Sequence, residues 1–215
     1  MSPYVYCANN PLIFIDPNGE EVYYDLNGNN LEDYKVWDED DHTVYLVRED
    51  GSMMQVGAED DFNQMAATIY AESSGNETES MAIGNVIQNR ADYTGNSTSD
   101  IIETTGIYGY GSNNYNQVYG ATNNENTNYV TARASAINAM MGGNDYSNAA
   151  YFWEATTYIT PGLRNYDTGN FFVRMGWGNN VGTTSGIINY NVATTIGATT
   201  FMINNPTYHG TRRFP

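Results

Sequence analysis

The sequence is poor in cations. Eight Lys and Arg stand against 25 Asp and Glu, a formal net charge of −17. Nucleic-acid binding depends on Lys and Arg neutralising phosphates, so no nucleic-acid partner is expected, and an anionic membrane surface is disfavoured on the same ground. Cysteine is almost absent: Cys7 stands alone, which excludes an intramolecular disulfide. Only two histidines, His42 and His209, accompany it. A zinc site would therefore need an unusual ligand set, and neither metal nor cofactor is expected. No run of 18 apolar residues occurs, so no membrane span is expected. The first residues, Met1-Ser2-Pro3-Tyr4, lack a basic segment leading into an apolar one, so no signal peptide is expected. A target outside the cytoplasm would then require delivery by other machinery.

Forty per cent of the chain is hydrophobic, enough for a substantial core, whereas only 15% is charged. The 19 tyrosines, 21 glycines and many Asn and Thr make a surface that is polar through hydroxyls and amides. Such groups suit neutral hydrogen-bonding ligands such as sugars, and equally suit an ordinary extracellular-type surface. Much of the acidity falls in 32–61, including Asp38-Glu39-Asp40-Asp41, and reads as a solvated run.

Residues 1–58 read as strands and turns, with Asn18-Gly19, Asn27-Gly28 and Asp50-Gly51 as turn dipeptides that tolerate positive φ and favour hairpins, and β-type runs at 21–24, 34–37, 43–47 and 53–56. Asp25-Leu26-Asn27-Gly28-Asn29 has the wrong glycine position for a calcium-binding EF-hand and lacks its final Glu. The pattern changes at Ala58. Glu59-Asp60-Asp61 forms an acidic first turn, favoured by the helix dipole, and Phe62, Met65, Ala66 and Ile69 follow helical spacing. A second helix is predicted over 78–91 and a third over 127–141, stopped by Gly142-Gly143. Between them, 92–125 reads as a long loop with a short helix near 98–103. The remainder reads as irregular, with β-like runs at 150–153 and 194–203. The fold class expected is α+β, mainly α, with a small β-hairpin segment ahead of an α-rich domain.

Two stretches resemble known families. Tyr4-Val5-Tyr6, Asn9-Asn10-Pro11, Asp16-Pro17 and Gly19 resemble the end of RHS-repeat core domains, which close with Pro, four residues, then Asp-Pro-x-Gly-Leu. Glu20 stands where that family has Leu. The resemblance implies a chain that extends C-terminally from a large RHS shell. Such extensions are typically toxins delivered by a secretion system, and the motif Asp takes part in self-cleavage there. On that division, 1–20 is the tail of the RHS core, 21–58 a linker and 59–215 the toxin domain.

The second resemblance lies in 65–93. Tyr70-Ala71-Glu72, Gly75, Ala82, Val86-Ile87 and Asn89-Arg90 resemble the SleB-type cell-wall hydrolases. The Ala-rich helix with Ala132, the small residues before Tyr151-Phe152-Trp153, and the Ile196-Gly197 turn fit the later parts of that pattern. Asn76 stands where the family has an acid. The resemblance implies a lysozyme-like fold that cleaves the MurNAc–GlcNAc glycan backbone of peptidoglycan as a hydrolase or lytic transglycosylase. The implied setting is the periplasm or cell wall of a target bacterium, with an immunity protein as partner.

Glycosidic cleavage needs an acid that protonates the leaving oxygen. An ordinary glutamate is ionised at neutral pH, and desolvation corrects this by penalising the charged form. Glu72 follows Ile69-Tyr70-Ala71, precedes Ser73-Ser74-Gly75, and has no Lys or Arg within ten residues on either side. It is the candidate acid, and Arg90 is the candidate cation from elsewhere. Glu77, Glu79 and Glu154 are candidates for a second carboxylate; helix-start electrostatics accounts equally for Glu77 and Glu79. Tyr108, Tyr110, Ser112, Tyr115, Asn116 and Gln117, with Trp153 and Trp177, are candidates for sugar contacts. Two other classes stay open at this point: a non-catalytic glycan-binding extension, and a structural part of the RHS shell.

Overall fold

The computed structural model describes residues 22–31, 42–104, 107, 109–156, 159–164, 171–175 and 190–204. The RHS-like stretch 1–20, the acidic run 38–41, and the candidates Tyr108 and Trp177 lie outside the described residues. Within them the protein is a mixed α/β structure with five helices and small sheets.

The first sheet joins β1 (Val22–Tyr24), β2 (Thr43–Val47) and β3 (Met53–Ala58) in that order. The Asp50-Gly51 turn makes the expected hairpin between β2 and β3, with the Asp50 carboxylate accepting from the Ser52 N–H at 2.9 Å. Pairing of β1 departs from a hairpin ladder: it runs parallel to β2, with Val22 opposite Val44 and Tyr24 opposite Leu46. After β1 the Asp25 carboxylate accepts from the backbone N–H groups of Asn27 and Asn29, both at 2.9 Å, and curls the chain back so that Asn30 forms an antiparallel bridge with Tyr24.

The helices follow the apolar spacing. α1 (Glu59–Glu72) buries Phe62, Met65, Ala66 and Ile69 completely, and stops where Ser73 turns extended. α2 (Glu77–Thr94) starts at Asn76, whose side chain accepts from the Glu79 N–H at 3.0 Å, and ends at Gly95 in the left-handed conformation. It therefore runs three residues past the predicted end, because Gly95, not Asp92, supplies the stop. α3 (Thr98–Thr104) lies where a short helix is expected. α4 (Asn113–Val118) falls in the stretch read as loop; Ser112 caps it and Tyr115 and Val118 are its buried residues. α5 (Thr127–Met140) is capped by Asn126.

The C-terminal region, read as mostly irregular, is strand-rich. β4 (Phe152–Ala155), β7 (Tyr190–Ile196) and β8 (Thr199–Asn204) form an antiparallel sheet in the order β4-β8-β7. β5 (Ile159–Arg164) and β6 (Phe171–Met175) form a separate antiparallel pair. The Ile196-Gly197 turn joins β7 to β8 as expected, with Gly197 at φ 58°.

One apolar cluster holds these parts together. Val22, Tyr24, Val44, Leu46 and Val56 of the first sheet share it with Phe62, Ile69, Ile83, Val86, Ile137 and Phe201. The described strands of the segment expected as a linker are thus packed into the same core as the helices. Gly28 marks the closest approach. At φ 80° it faces the backbone of α5, where an added Cβ would run into the Val130 carbonyl oxygen and sit 2.5 Å from the Ala134 nitrogen. Gly28→Ala is expected to lower stability by about 2 kcal/mol or more, because left-handed strain adds to a collision with backbone. Gly95→Ala, with φ 71° but open space around it, is expected to cost less, about 1 kcal/mol. Urea midpoints of the two variants check the difference.

Candidate active site

Glu72 is the last residue of α1 and is partly buried. Its two oxygens meet two separate N–H donors. The backbone N–H of Gly109 donates to Oε1, and the indole Nε1 of Trp153 donates to Oε2 at 3.2 Å. Burial pushes the Glu72 carboxyl above the usual carboxylate range; the two donors pull part of that back, and the charge of Glu154 adds to the rise. The outcome is a carboxyl inclined to hold a proton yet furnished with hydrogen bonds for its ionised form.

Gly109 can make its contact because it has no side chain. A Cβ there would lie 2.9 Å from Glu72 Cγ and Oε1 and 3.1 Å from the Ala71 Cβ. Trp153 is aimed by the end of α2. Asn89 Nδ2 donates to the Ala150 carbonyl at 3.1 Å, and Arg90 Nε donates to the Tyr151 carbonyl at 2.6 Å. The Arg90 guanidinium then lies over the Phe152 and Trp153 rings, 5.2 and 5.3 Å from their centroids. The small residues before β4 are required by this docking. Ala150 is completely buried, and Asn148 and Ala149 both take left-handed conformations held by the Asp145 carboxylate, which accepts from the Ser147 and Ala149 N–H groups. Asn89-Arg90 and the Ala149-Ala150 lead, met in the sequence as separate features, are thus two halves of one clamp on β4.

Arg90 is the cation expected to influence Glu72. Its guanidinium donates to the Tyr151 carbonyl and lies over the Trp153 ring, whose indole N–H in turn meets the acid. The second-carboxylate candidates separate clearly. Glu77 is exposed in the first turn of α2. Glu79 is 1% exposed and both its oxygens are taken: Ser74 donates to Oε2 through its backbone N–H at 2.8 Å and through its hydroxyl, and Thr199 donates to Oε1. Glu154 is partly buried, accepts from the Ala155 N–H at 2.9 Å, and bears electrostatically on Glu72.

The loop candidates for sugar contact are spread along α1. Tyr110 follows Gly109 directly, remains 39% exposed, and packs edge-on against Tyr115. Tyr115 is buried and stacks on Tyr119, whose hydroxyl donates to Asp60 at the far end of α1. Ser112 caps α4 by accepting from the Tyr115 N–H, and Asn116 Nδ2 closes the turn on the Gly111 carbonyl. The hydroxyl and amide expected to meet sugar are therefore engaged in holding their own loop. Gln117 is exposed. Of the described candidates, the structure brings Glu72, Trp153 and Glu154 together, with Tyr110 following the Gly109 contact in sequence.

Gly109 and Tyr70 belong to this site and were not singled out as contributors. Tyr70 accepts on its hydroxyl from Asn126 Nδ2 at 3.2 Å, which ties the last turn of α1 to the cap of α5. A glycine between two tyrosines in a Gly-rich run carries no signal separating a close-approach position from a flexible one. Among the described residues, no three His, Cys, Asp or Glu side chains converge to hold a metal ion, and no helix is long and apolar enough to cross a membrane. A depression lined by Val56, Asp61, Gln88, Asp92, Ser97 and Met140 lies by the start of α1, at the opposite end of that helix from Glu72.

The raised proton affinity of Glu72 has a consequence for stability. The folded carboxyl keeps its proton to higher pH than the unfolded chain does, so its contribution is intact at low pH and is lost as pH rises through the folded value. Glu72→Gln is therefore expected to melt higher than the native protein at pH 7, with the difference vanishing below about pH 4; thermal melts across that range check it. No protein-family model, no curated protein and no solved structure matches this chain, so the functional reading stands on the resemblances in the sequence and on the geometry around Glu72.

Proposed function

We propose that the protein is a peptidoglycan-degrading effector with a lysozyme-like catalytic domain. It cleaves the glycan backbone by general-acid catalysis from Glu72, as a lytic transglycosylase. The observation that carries this reading is the Glu72 carboxyl itself: part of a half-buried residue at a helix end, raised in proton affinity by burial, and met on both oxygens by neutral N–H donors.

The steps follow from that arrangement. Protonated Glu72 gives its proton to the glycosidic oxygen as the C1–O bond breaks, leaving a new 4-hydroxyl end and a cationic muramyl C1. The resulting carboxylate is stabilised by the Gly109 and Trp153 N–H groups. It then takes the proton from the muramyl 6-hydroxyl as that oxygen closes on C1, forming a 1,6-anhydro ring and restoring the acid. One carboxyl suffices because the nucleophile belongs to the substrate. Glu79 has no free oxygen for a second role, and Glu77 is exposed in the first turn of α2. Glu154 favours a second reading, hydrolysis by an activated water, since its charge bears on Glu72.

The exposed face of Tyr110, next to the Gly109 contact, is the aromatic surface best placed to stack on a sugar ring. The RHS-like motif before residue 21 supports delivery from an RHS shell by a secretion system to the periplasm or wall of a target cell. The excess of acidic residues fits a basic immunity partner, and it gives no help in approaching anionic peptidoglycan.

Purified sacculi provide the test. The native protein is expected to release soluble muropeptides with 1,6-anhydro ends, seen by mass spectrometry. Glu72→Gln is expected to reduce the rate by about 10²–10⁴-fold, the usual worth of a general acid, while circular dichroism stays native. Reducing ends abolished by Glu154→Gln would move the assignment to hydrolysis. Absence of any soluble product from the native protein would leave the non-catalytic, glycan-binding or structural extension as the reading to adopt.

A further inference from the structure

Glu79 is almost fully buried, seven residues beyond Glu72, and takes no part in the chemistry above. Its carboxylate accepts from the N–H and hydroxyl of Ser74 on one oxygen and from the Thr199 hydroxyl on the other. The turn between β7 and β8 lies against the same group: a Cβ on Gly197 would be 3.8 Å from Glu79 Oε1. A carboxylate used in this way joins two places distant in sequence, the elbow that follows Glu72 and the start of β8.

The register of the sheet gives that junction its meaning. Trp153 pairs with Phe201 and Ala155 with Thr199. Side chains alternate along a strand, so these four residues share one face of the β4–β8 pair. That face meets the α1–α2 elbow at two carboxylates, Trp153 on Glu72 and Thr199 on Glu79. The Asn89-Arg90 clamp grips the opposite end of β4, at Ala150 and Tyr151. One anchor at the beginning of a strand leaves it free to pivot; a second near its end fixes the angle at which Trp153 reaches Glu72. At 3.2 Å the indole bond is near the long end of ordinary hydrogen bonds, so a small rotation would break it.

We infer that Glu79 is a positioning residue for Glu72, latching the β4–β8 sheet to the 73–75 elbow so that the Trp153 N–H stays on the catalytic carboxyl. This rests on the proposed role of Glu72, and its test reads the geometry without needing turnover.

The measurement is the pH titration of the Trp153 indole N–H by ¹⁵N nuclear magnetic resonance on the intact chain, assigned with Trp153→Phe. In the native protein the resonance is expected to follow a transition that Glu72→Gln removes. That control is needed because Glu154 also bears on Glu72. Thr199→Val removes one latch bond at nearly constant volume, and Ser74→Ala removes another. Either is expected to keep the fold, judged by far-ultraviolet circular dichroism, and to reduce the Trp153 transition to less than half its amplitude. Glu125→Gln, at an exposed position, is expected to leave it whole. Where the enzyme is active, the latch variants are expected to lose about 10–100-fold in kcat with little change in KM, the size of effect that a misplacement of about 1 Å produces. A native-like transition in both folded latch variants overturns the inference, as does a native Trp153 resonance with no transition tied to Glu72. Native sacculi activity that is absent, with the Trp153 result as expected, sinks the glycosidase reading and leaves the latch standing.

Discussion

The hydrogen bond from the Trp153 indole to Glu72 joins residues 81 apart in the chain, and much of the fold can be understood as the condition for making it. α1 must stop at Glu72, so that its carboxyl can meet donors from two other segments. Gly109 must approach without a side chain. β4 must leave a tightly curled loop at one angle, which the Asn89 and Arg90 side chains set by holding two successive carbonyls. Each condition involves a different segment, so the site is assembled by tertiary packing. Loop-closure entropy for such distant contacts is met by the shared core beneath them, where Ile69, Ile83, Val86 and Phe201 are fully buried.

Arg133 shows how the back of the site is held. It is completely buried in α5, and its terminal nitrogens donate to the carbonyls of Ala121, Thr122 and Asn123 and to the Asn124 side chain. Its guanidinium lies between the faces of Tyr24 and Tyr129, about 5 Å from each ring. Carbonyl dipoles and ring faces carry the charge that carboxylates would otherwise meet. The loop fixed in this way leads to Asn126, whose side chain reaches the Tyr70 hydroxyl two residues before Glu72. Asn124 meanwhile exchanges two hydrogen bonds with the Asn30 backbone, at 2.8 and 3.0 Å. A buried cation therefore couples the N-terminal sheet, α5 and the last turn of α1.

The helices and Glu72 were legible in the sequence because their determinants are local. The apolar spacing of Phe62, Met65, Ala66 and Ile69 and the break at Ser73–Gly75 place the acid at a helix end without any tertiary information. The partners of that acid were only half legible. Trp153 stands out as an aromatic after small residues, whereas Gly109 is hidden among many glycines and acts through its backbone. Glu79 was misleading for a physical reason: an acid in the first turn of a helix is explained by the dipole, and nothing nearby in sequence announces Thr199, 120 residues later. Ser112 and Asn116 misled in the opposite sense, since hydroxyls and amides in a Gly-rich stretch cap helices and close turns as readily as they bind sugars. Of the five C-terminal strands, β4, β7 and β8 overlap the β-like runs at 150–153 and 194–203, whereas β5 and β6 were obscured because their register is broken between Pro161 and Arg164.

The choice of donors on Glu72 bears most directly on what the group can do. A guanidinium against the carboxyl would favour the ionised form strongly and spend the acid before substrate arrived. Indole and peptide N–H groups orient the same two oxygens with a weaker pull, and burial remains the larger influence on the proton. Arg90 lies over the Phe152 and Trp153 faces and donates to a backbone carbonyl. It thereby holds the indole that holds the acid, and contributes alignment without discharging the carboxyl. The arrangement suits a single group that must give up a proton and then recover one: burial favours the protonated form, and the two N–H donors receive the carboxylate once the proton has left.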